Sequence, residues 1–278
     1  NLYLALGAAC LAGAGAWLQG VAAKPAYLGI AGLYILSMHT LHHMFDRIVD
    51  SYNDPERARF YQDNRYALSG LAAASGLGGL AVAWLMGPLF FILLLAMSLL
   101  GVVYNLEIKD GRPGLKRVPV LKRIPGSKTV LVTLAWAIVA ALFPALDAYG
   151  QIAPAGAAAF IWIAALVFVR TAFFDIIDMQ GSRIAGRETI PILLGEHRTM
   201  RLLQIVLAAT IVFLPACALA GVFPVAASAL SLVPAAMLAF LYVHERSGRF
   251  LGVLRGFIME SHFVFAGILA LLLAWGGM

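Results

Sequence analysis

Charged residues are scarce in this sequence. Only 12% of its 278 residues are Asp, Glu, Lys or Arg, and 62% are apolar, whereas about 25% of the residues in a soluble globular protein are charged. This composition excludes an ordinary soluble domain and indicates an integral membrane protein. Cysteine is scarce as well. Cys10 and Cys217 lie far apart inside apolar runs, so neither a disulfide framework nor a cysteine metal site is indicated.

Apolar runs long enough to cross a bilayer, for which about 20 residues suffice, occupy nearly the whole chain. Hydropathy and turn residues predict nine spans, at 2-22, 26-45, 67-86, 88-106, 129-149, 152-174, 202-221, 222-243 and 251-275. We therefore predict an all-α polytopic membrane protein, a bundle of nine transmembrane helices around a central cavity. Because the spans use up residues 1-278, we expect a single membrane-embedded domain.

Basic residues lie almost entirely on one side of the predicted spans. Of the 20 Lys and Arg residues, only Lys24 lies on the side with short connections, and basic loops stay in the cytoplasm. We therefore expect a cytoplasmic N-terminus in a bacterial or archaeal cell membrane. Topology and headgroup contacts account for these cations, so nucleic-acid binding is not needed. No basic region precedes the first span at Asn1, and we expect a trimmed start without a cleaved signal peptide.

Two pairs of aspartates stand at equivalent places in the predicted topology. Asp46 and Asp50 lie four residues apart where the second span meets the cytoplasm, and Asp175 and Asp178 lie three apart at the end of the sixth span. Each pair would share one face of a continuing helix. The local patterns FDRIVD and FDIIDM are alike, which indicates a weak internal duplication of helical units.

Four carboxylates facing one another at the mouth of a helix bundle would repel unless cations lay between them. Hard oxygen ligands of this kind suit Mg²⁺, which usually reaches such a site together with phosphate. The cytoplasmic connection KDGRPGLKRVPVLKRIPGSK supplies cations that can contact phosphate oxygens: Lys109, Arg112, Lys116, Arg117, Lys122, Arg123 and Lys128. The sequence therefore predicts a diphosphate site over an apolar cavity.

Both acidic segments resemble signatures of the UbiA-type intramembrane prenyltransferases. FDRIVDSYNDPER is similar to their first signature, Asn-Asp-x-x-Asp-x-x-x-Asp followed by Asn-x-Pro-x-Arg. DIIDMQGSRIAGRETIPILLG is similar to their second, Asp-x-x-Asp-x-x-Gly-Asp-Arg followed by Gly-Arg-x-Thr-x-Pro. The resemblance also covers the nine predicted spans, so it extends over essentially the whole chain.

The resemblance implies Mg²⁺-assisted transfer of a prenyl group from an isoprenyl diphosphate to an acceptor in the membrane. The acceptor would be an aromatic or quinone precursor or another acceptor of a lipid pathway. The four aspartates would be the catalytic and Mg²⁺-holding residues: Asp46, Asp50, Asp175 and Asp178. The remaining candidates would contact the substrate: His42, His43, Arg57, Tyr104, Lys109, Lys116 and Arg117.

Two positions depart from the family pattern. His42 and His43 replace the opening Asn-Asp, and Ser182 replaces the closing acid of the second signature. A neutral imidazole can donate a hydrogen bond to phosphate, and a protonated one adds positive charge. We therefore hypothesise that His42 or His43 takes over part of the diphosphate contact.

Three alternatives remain at the sequence level. His39, His42 and His43 spell the His-x-x-His-His of a histidine-box metal enzyme, and imidazole suits iron. A transporter would need a polar path, for which Glu260 and His262 in the last span are the best pointers, although pairing with a neighbouring helix also explains them. Loss of the two acids would also suit a family member that binds lipid or isoprenoid, or assists assembly, without catalysis.

Overall fold

A computed structural model describes residues 1-105, 108-109, 116-117, 124-247 and 252-276 of the chain. The α-helices are α1 Leu2–Leu18, α2 Pro25–Phe45, α3 Arg47–Asn53, α4 Pro55–Asp63, α5 Arg65–Met86, α6 Pro88–Asn105, α7 Ser127–Ala137, α8 Phe143–Tyr149, α9 Pro154–Ile177, α10 Met179–Ile184, α11 Ile190–Leu194, α12 Glu196–Leu219, α13 Leu232–Ser247 and α14 Gly252–Gly276. A π-helical turn, Ile138–Leu142, joins α7 to α8, and a 3₁₀ helix, Val225–Ser231, precedes α13. The all-helical class is confirmed, apart from one short ladder of two strands, β1 Ile108–Lys109 and β2 Lys116–Arg117.

Six helical segments of the described chain are long and apolar enough to cross a membrane. They are Arg65–Met86, Ser127–Tyr149, Pro154–Ile177, Glu196–Leu219, Val225–Arg246 and Leu254–Gly276. Leu2–Leu18 and Pro88–Tyr104 are shorter apolar helices. Helix α2 has 21 residues but is not one of the six, because its last two turns carry three histidines. An integral membrane protein is confirmed, and the predicted count of nine spans stays a prediction.

Proline and glycine set several of the helix ends. Proline is the first residue of α2, α4 and α9, a position where its missing N–H costs nothing and its fixed φ suits the helix. Between α5 and α6, Gly87 has a φ of 140°, a backbone conformation that other residues rarely adopt. The chain therefore reverses at Gly87-Pro88 without a longer loop, as the sequence predicts.

Helix α9 lies at the centre of the bundle. In its most apolar stretch 61% of the residues are buried, against 22% for α5 and α12. Helix α9 packs on α7 and α12, and α1 packs between α2 and α14. Helix α9 ends at the second aspartate pair, so this pair is positioned by the most buried helix of the bundle.

A partly buried ion pair joins α9 to the last helix. Arg170 Nη2 donates to Glu260 Oε1 at 2.9 Å, and the Arg170 guanidinium also lies 4.7 Å from the centre of the Phe174 ring. Pairing satisfies the charges that apolar surroundings would otherwise penalise. The prediction that Glu260 pairs with a neighbouring helix is confirmed.

Candidate functional site

The first signature forms the junction between α2 and α3. Asp46 lies between the two helices and is buried. His42 Nε2 lies 3.0 Å from Asp46 Oδ2, one turn earlier on α2. The guanidinium of Arg187 donates to both carboxylate oxygens of Asp46. Asp46 therefore has an imidazole on one side and a bidentate arginine on the other.

Asp50 lies one turn further along, in α3, and is also buried. His43 Nδ1 lies 2.9 Å from Asp50 Oδ2, and Arg57 Nη2 donates to Asp50 Oδ1 at 3.1 Å. Burial by itself raises the pKa of Asp50, but the hydrogen bond from His43 and the charge of Arg57 outweigh burial and hold that pKa below its ordinary value. Asp50 is therefore an ionised carboxylate at neutral pH.

The second signature ends α9 and begins α10. Asp175 is buried in the last turns of α9. Thr129 Oγ1 donates to Asp175 Oδ2 at 2.6 Å, and Lys128 Nζ lies 3.5 Å from Asp175 Oδ1. Both partners stand at the start of α7. The hydrogen-bond and ion-pair partners of Asp175 therefore come from α7, whereas those of Asp46 come from α2 and from the chain after α10.

Asp178 differs from the other three aspartates. Its carboxylate has no hydrogen bond or ion pair within 4 Å among the residues that the structure describes. Burial raises its pKa, and the more distant charges of Lys128 and Arg57 offset this only in part. Asp178 is therefore a carboxylate that a further cation would stabilise.

A small polar pocket lies between the two signatures. Its lining comes from both of them and from the start of α7: Asp46, Tyr104, Gly126, Lys128, Thr129, Asp175, Arg187, Glu188 and Thr189. The volume is about 20 Å³, room for about one water molecule. The structure thus brings one aspartate of each pair to a common pocket.

A larger apolar cavity of about 240 Å³ adjoins the polar pocket. It lies between α2, α6 and α7, and most of its lining is apolar: Tyr34, Ile35, Met38, Met97, Leu100, Gly101, Leu131, Val132, Leu134, Ala135, Trp136 and Ile138. His39, His42, Tyr104 and Lys128 complete it, and Tyr104 and Lys128 line both spaces. The site therefore has a charged end and an apolar end that meet at these two residues.

The predicted site residues fall into two groups. The four aspartates, the two histidines, Arg57 and Tyr104 come together at one end of the bundle, and Tyr104 Oη lies 3.2 Å from Ser127 Oγ. Lys109, Lys116 and Arg117 contribute backbone to β1 and β2, but their side chains lie outside the described residues, as does the rest of the predicted basic loop up to residue 123.

Sequence reasoning missed two residues of the site, and the contact of a third. Arg187 is part of the quoted Gly-Arg-x-Thr-x-Pro segment. The sequence therefore shows the motif, but it does not show that Arg187 contacts Asp46. The sequence predicts Lys128 as a cation that can contact phosphate oxygens, but it does not predict the ion pair of Lys128 with Asp175. Thr129 is an ordinary threonine at the start of an apolar run, and nothing in the sequence marks it.

Comparison with known proteins supports the resemblance to the prenyltransferases. The sequence pattern of the UbiA prenyltransferase family matches residues 2-251. The chain belongs to this family. A relative, the digeranylgeranylglyceryl phosphate synthase of Halobacterium salinarum, is 28% identical over 208 residues, which cover 73% of this chain and 68% of the relative.

Solved structures of the family share the fold. A UbiA homolog from Aeropyrum pernix K1, in its apo form, has a TM-score of 0.70 and 14% identity, covering 100% of this chain and 99% of its own. A UbiA homolog from Archaeoglobus fulgidus bound to GPP and Mg²⁺ has a TM-score of 0.62 and 18% identity, with 97% and 96% covered. The predicted family is confirmed, and prenyl transfer is the reaction class for which the family is named.

Proposed function

We propose that this protein transfers a prenyl group from an isoprenyl diphosphate to an acceptor, with the diphosphate at the polar pocket and the prenyl chain in the apolar cavity. The observation that carries this proposal is the junction at Lys128 and Tyr104, which line both spaces. An isoprenyl diphosphate has the same division, a charged head joined to an apolar chain. The two ends of the site match the two ends of this substrate class.

The aspartates suit Mg²⁺, although no three His, Cys, Asp or Glu side chains of the described chain converge as a ready metal site. Mg²⁺ is usually held by one or two carboxylates together with substrate phosphates, not by a closed protein cage. The partly buried Asp178 carboxylate, without an ion pair among the described residues, supports this fit. Asp46, Asp50, Asp175 and Asp178 would hold the ion, which, when bound, supplies charge compensation for the departing diphosphate.

The cations of the site would bind the phosphate oxygens. Lys128 and Arg187 line the polar pocket, and Arg57 contacts Asp50 beside it. Donors that stabilise the leaving diphosphate as its negative charge develops lower the barrier. The apolar cavity would keep water from the reacting carbon, so that the acceptor captures the prenyl group.

The acceptor belongs, on this proposal, to a lipid pathway. The Halobacterium salinarum relative is named for a product in which prenyl groups are attached to glyceryl phosphate. An acceptor of that kind would approach the same end of the bundle, where its phosphate can meet the cations described above. Aromatic and quinone precursors are the other acceptor class to include in an assay.

The same proposal includes nine membrane crossings in one domain, with the N-terminus and residues 107-128 and 179-198 in the cytoplasm. Only Lys24 among the 20 Lys and Arg residues lies on the opposite side, which supports this orientation. A cysteine introduced at Arg112 should resist a membrane-impermeant reagent applied to intact cells. Ready labelling from outside would contradict both the orientation and the cytoplasmic site.

The activity test uses purified protein with labelled isoprenyl diphosphates of several lengths, with and without Mg²⁺. We expect Mg²⁺-dependent release of diphosphate, and a loss of about 10²-fold in kcat/KM for Lys128→Ala, the size of effect typical of one lost donor to developing charge. The matched control is Lys24→Ala, since Lys24 binds Asp147 at the opposite end of the bundle. No release with any donor and acceptor would favour the non-catalytic, lipid-binding alternative.

A further inference from the structure

A single amide side chain ties the two signature segments together. Asn53 is the last residue of α3. Its Oδ1 accepts a hydrogen bond from the backbone N–H of Gly181 at 3.0 Å, and its Nδ2 donates to the backbone carbonyl of Asp178 at 3.1 Å. One residue of the first signature therefore binds the second at two points, more than 120 residues further along the chain.

The two segments also touch directly at this place. A Cβ atom added to Gly181 would lie 2.5 Å from Asn53 Nδ2 and 2.7 Å from the carbonyl oxygen of Val49. Neither distance is sterically possible, so α3 and α10 can approach this closely only because residue 181 is glycine. Val49 and Gly181 are both buried, and the contact is therefore part of the packed interior.

The chemistry of this contact requires an amide. Asn53 uses one acceptor and one donor that are bonded to the same carbon atom, and at neutral pH only the side-chain amides of Asn and Gln carry this combination. An aspartate would turn a carboxylate oxygen toward the Asp178 carbonyl, where a donor is needed. Glutamine is one methylene longer and would not fit against Gly181.

The contact differs from the ion pairs around it. Arg57 and Arg187 hold Asp50 and Asp46 through charge, and a diphosphate would compete for both cations. The bonds of Asn53 run to backbone groups and carry no net charge, so an incoming anion has nothing to exchange with them. They can persist while the ion pairs rearrange.

We propose that Asn53 is a positioning residue that sets the spacing between Asp50 and Asp178, the two acids on the adjoining segments. Asp50 lies one turn before Asn53 on α3, and Asp178 carries the carbonyl that Asn53 binds. The inference rests on the proposed function, because the spacing matters through the diphosphate that the two acids bind with Mg²⁺. Asn53 itself does not touch the substrate.

The test compares Asn53→Asp with Asn64→Asp. Asn64 is exposed, and its amide donates to the carbonyl of Phe60 in its own segment, so the control makes the same chemical change away from the signatures. The probe is inorganic diphosphate with Mg²⁺, followed by the shift in thermal unfolding that it causes. We expect the half-saturating concentration to rise about tenfold for Asn53→Asp, equivalent to about 1.4 kcal/mol, and to stay unchanged for Asn64→Asp.

A second measurement needs no ligand. Nitroxide labels at Tyr52 and Arg183, both exposed, report the distance between α3 and α10 in a background without Cys10 and Cys217. We expect Asn53→Asp to widen or broaden this distance distribution while leaving binding of a prenyl alcohol, which has no charged head, unchanged. Gly181→Ala should act through the same contact, so the double variant should fall short of additivity.

The outcomes separate this inference from the proposed function. Failure of the unsubstituted protein to bind diphosphate would contradict the proposed function. The role of Asn53 would be overturned if Asn53→Asp left diphosphate binding intact or left the distance distribution unchanged. An equal loss of prenyl alcohol binding would also overturn it, because that loss would indicate general unfolding.

Discussion

Arg187 and Asp46 form a two-point ion pair across the candidate site, with Nη1 on Oδ2 and Nη2 on Oδ1. Asp46 ends α2 and Arg187 follows α10, so the pair joins the two signatures, 141 residues apart in sequence. Bidentate arginine–carboxylate pairs are among the stronger charged hydrogen bonds in proteins. The ion pair therefore links the two signature segments across the polar pocket.

The ion pair between Arg187 and Asp46 affects how a diphosphate could enter the polar pocket. The polar pocket has a volume of about 20 Å³, which suffices for about one water molecule and is far too small for a diphosphate. Arg187 and Asp46 both line it, so their separation would enlarge it. An arginine released from Asp46 is already placed to bind phosphate in the same bidentate way.

Replacing Arg187 should therefore impair the reaction itself. We expect Arg187→Ala to lower kcat/KM by about 10²- to 10³-fold, the cost of one lost donor to developing charge. Arg187→Lys should keep only part of the original kcat/KM, because an ammonium group cannot make the two-point contact. Steady-state assays with Arg198→Ala as the matched control, an exposed arginine outside both signatures, test this. An Arg187→Ala enzyme as active as the control would contradict it.

The sequence is sufficient to identify the four aspartates of the site, but it does not show which residues contact them. A charged residue at the end of an apolar run stands out, and so do two such pairs at the ends of matching spans, which is why all four aspartates could be named. Contacts such as Arg187 to Asp46 or Thr129 to Asp175 join residues 141 and 46 positions apart. No local pattern encodes them, because they depend on how whole helices pack.

Short elements were also beyond sequence reasoning. Helices α3 and α10 have seven and six residues, too few for a hydrophobic period to appear. The π-helical turn at Ile138–Leu142 has a partner far away in the sequence, since Gln19, directly after α1, donates to the Ala141 carbonyl at 3.0 Å. Long spans and their breaks, by contrast, followed from composition and from turns such as Gly87-Pro88.

Asp178 and Asp175 should respond in opposite ways to neutralisation. The raised pKa of Asp178 means that its contribution to stability is full below the ordinary carboxyl pKa, about 3.9, and is lost as pH rises through the higher folded-state value. Asp178→Asn should therefore raise the melting temperature of the Mg²⁺-free protein at neutral pH. Asp175→Asn weakens the contacts from Lys128 and Thr129 and should cost about 2 kcal/mol.

Thermal unfolding in detergent, with and without Mg²⁺ and diphosphate, distinguishes these cases. Asp178→Asn should be more stable than the unsubstituted protein without ligand and should gain less from Mg²⁺ with diphosphate. Destabilisation by Asp178→Asn at neutral pH would show that its carboxylate is already compensated and would remove the argument that it accepts a cation.

His42 and His43 each occupy an oxygen of a signature aspartate, at 3.0 Å from Asp46 and 2.9 Å from Asp50. Replacing them together with Asn and Asp, the family pattern, would release those oxygens and add one acid. We expect a stronger dependence of diphosphate binding on Mg²⁺, because hard carboxylate oxygens replace imidazole at the site. Titration of diphosphate binding against Mg²⁺ measures this, with His197→Asn, an exposed histidine, as the control. Identical curves for the double variant and the unsubstituted protein would contradict the role given to the histidines.

The apolar cavity should limit the length of the prenyl chain. Ala135 lines it on α7, seven residues beyond Lys128, which places it roughly 10 Å further from the polar pocket along the helix. Ala135→Phe would fill this part of the cavity, so geranyl and longer diphosphates should lose about 10- to 10²-fold in kcat/KM relative to dimethylallyl diphosphate, as expected when a few methylenes no longer fit an apolar pocket. The matched control is Ala74→Phe, because Ala74 is exposed on α5 and lines neither the polar pocket nor the apolar cavity. A loss in Ala135→Phe that is equal for all donor lengths would indicate that the prenyl chain takes another route, since a chain lying outside this cavity would not sense the added ring.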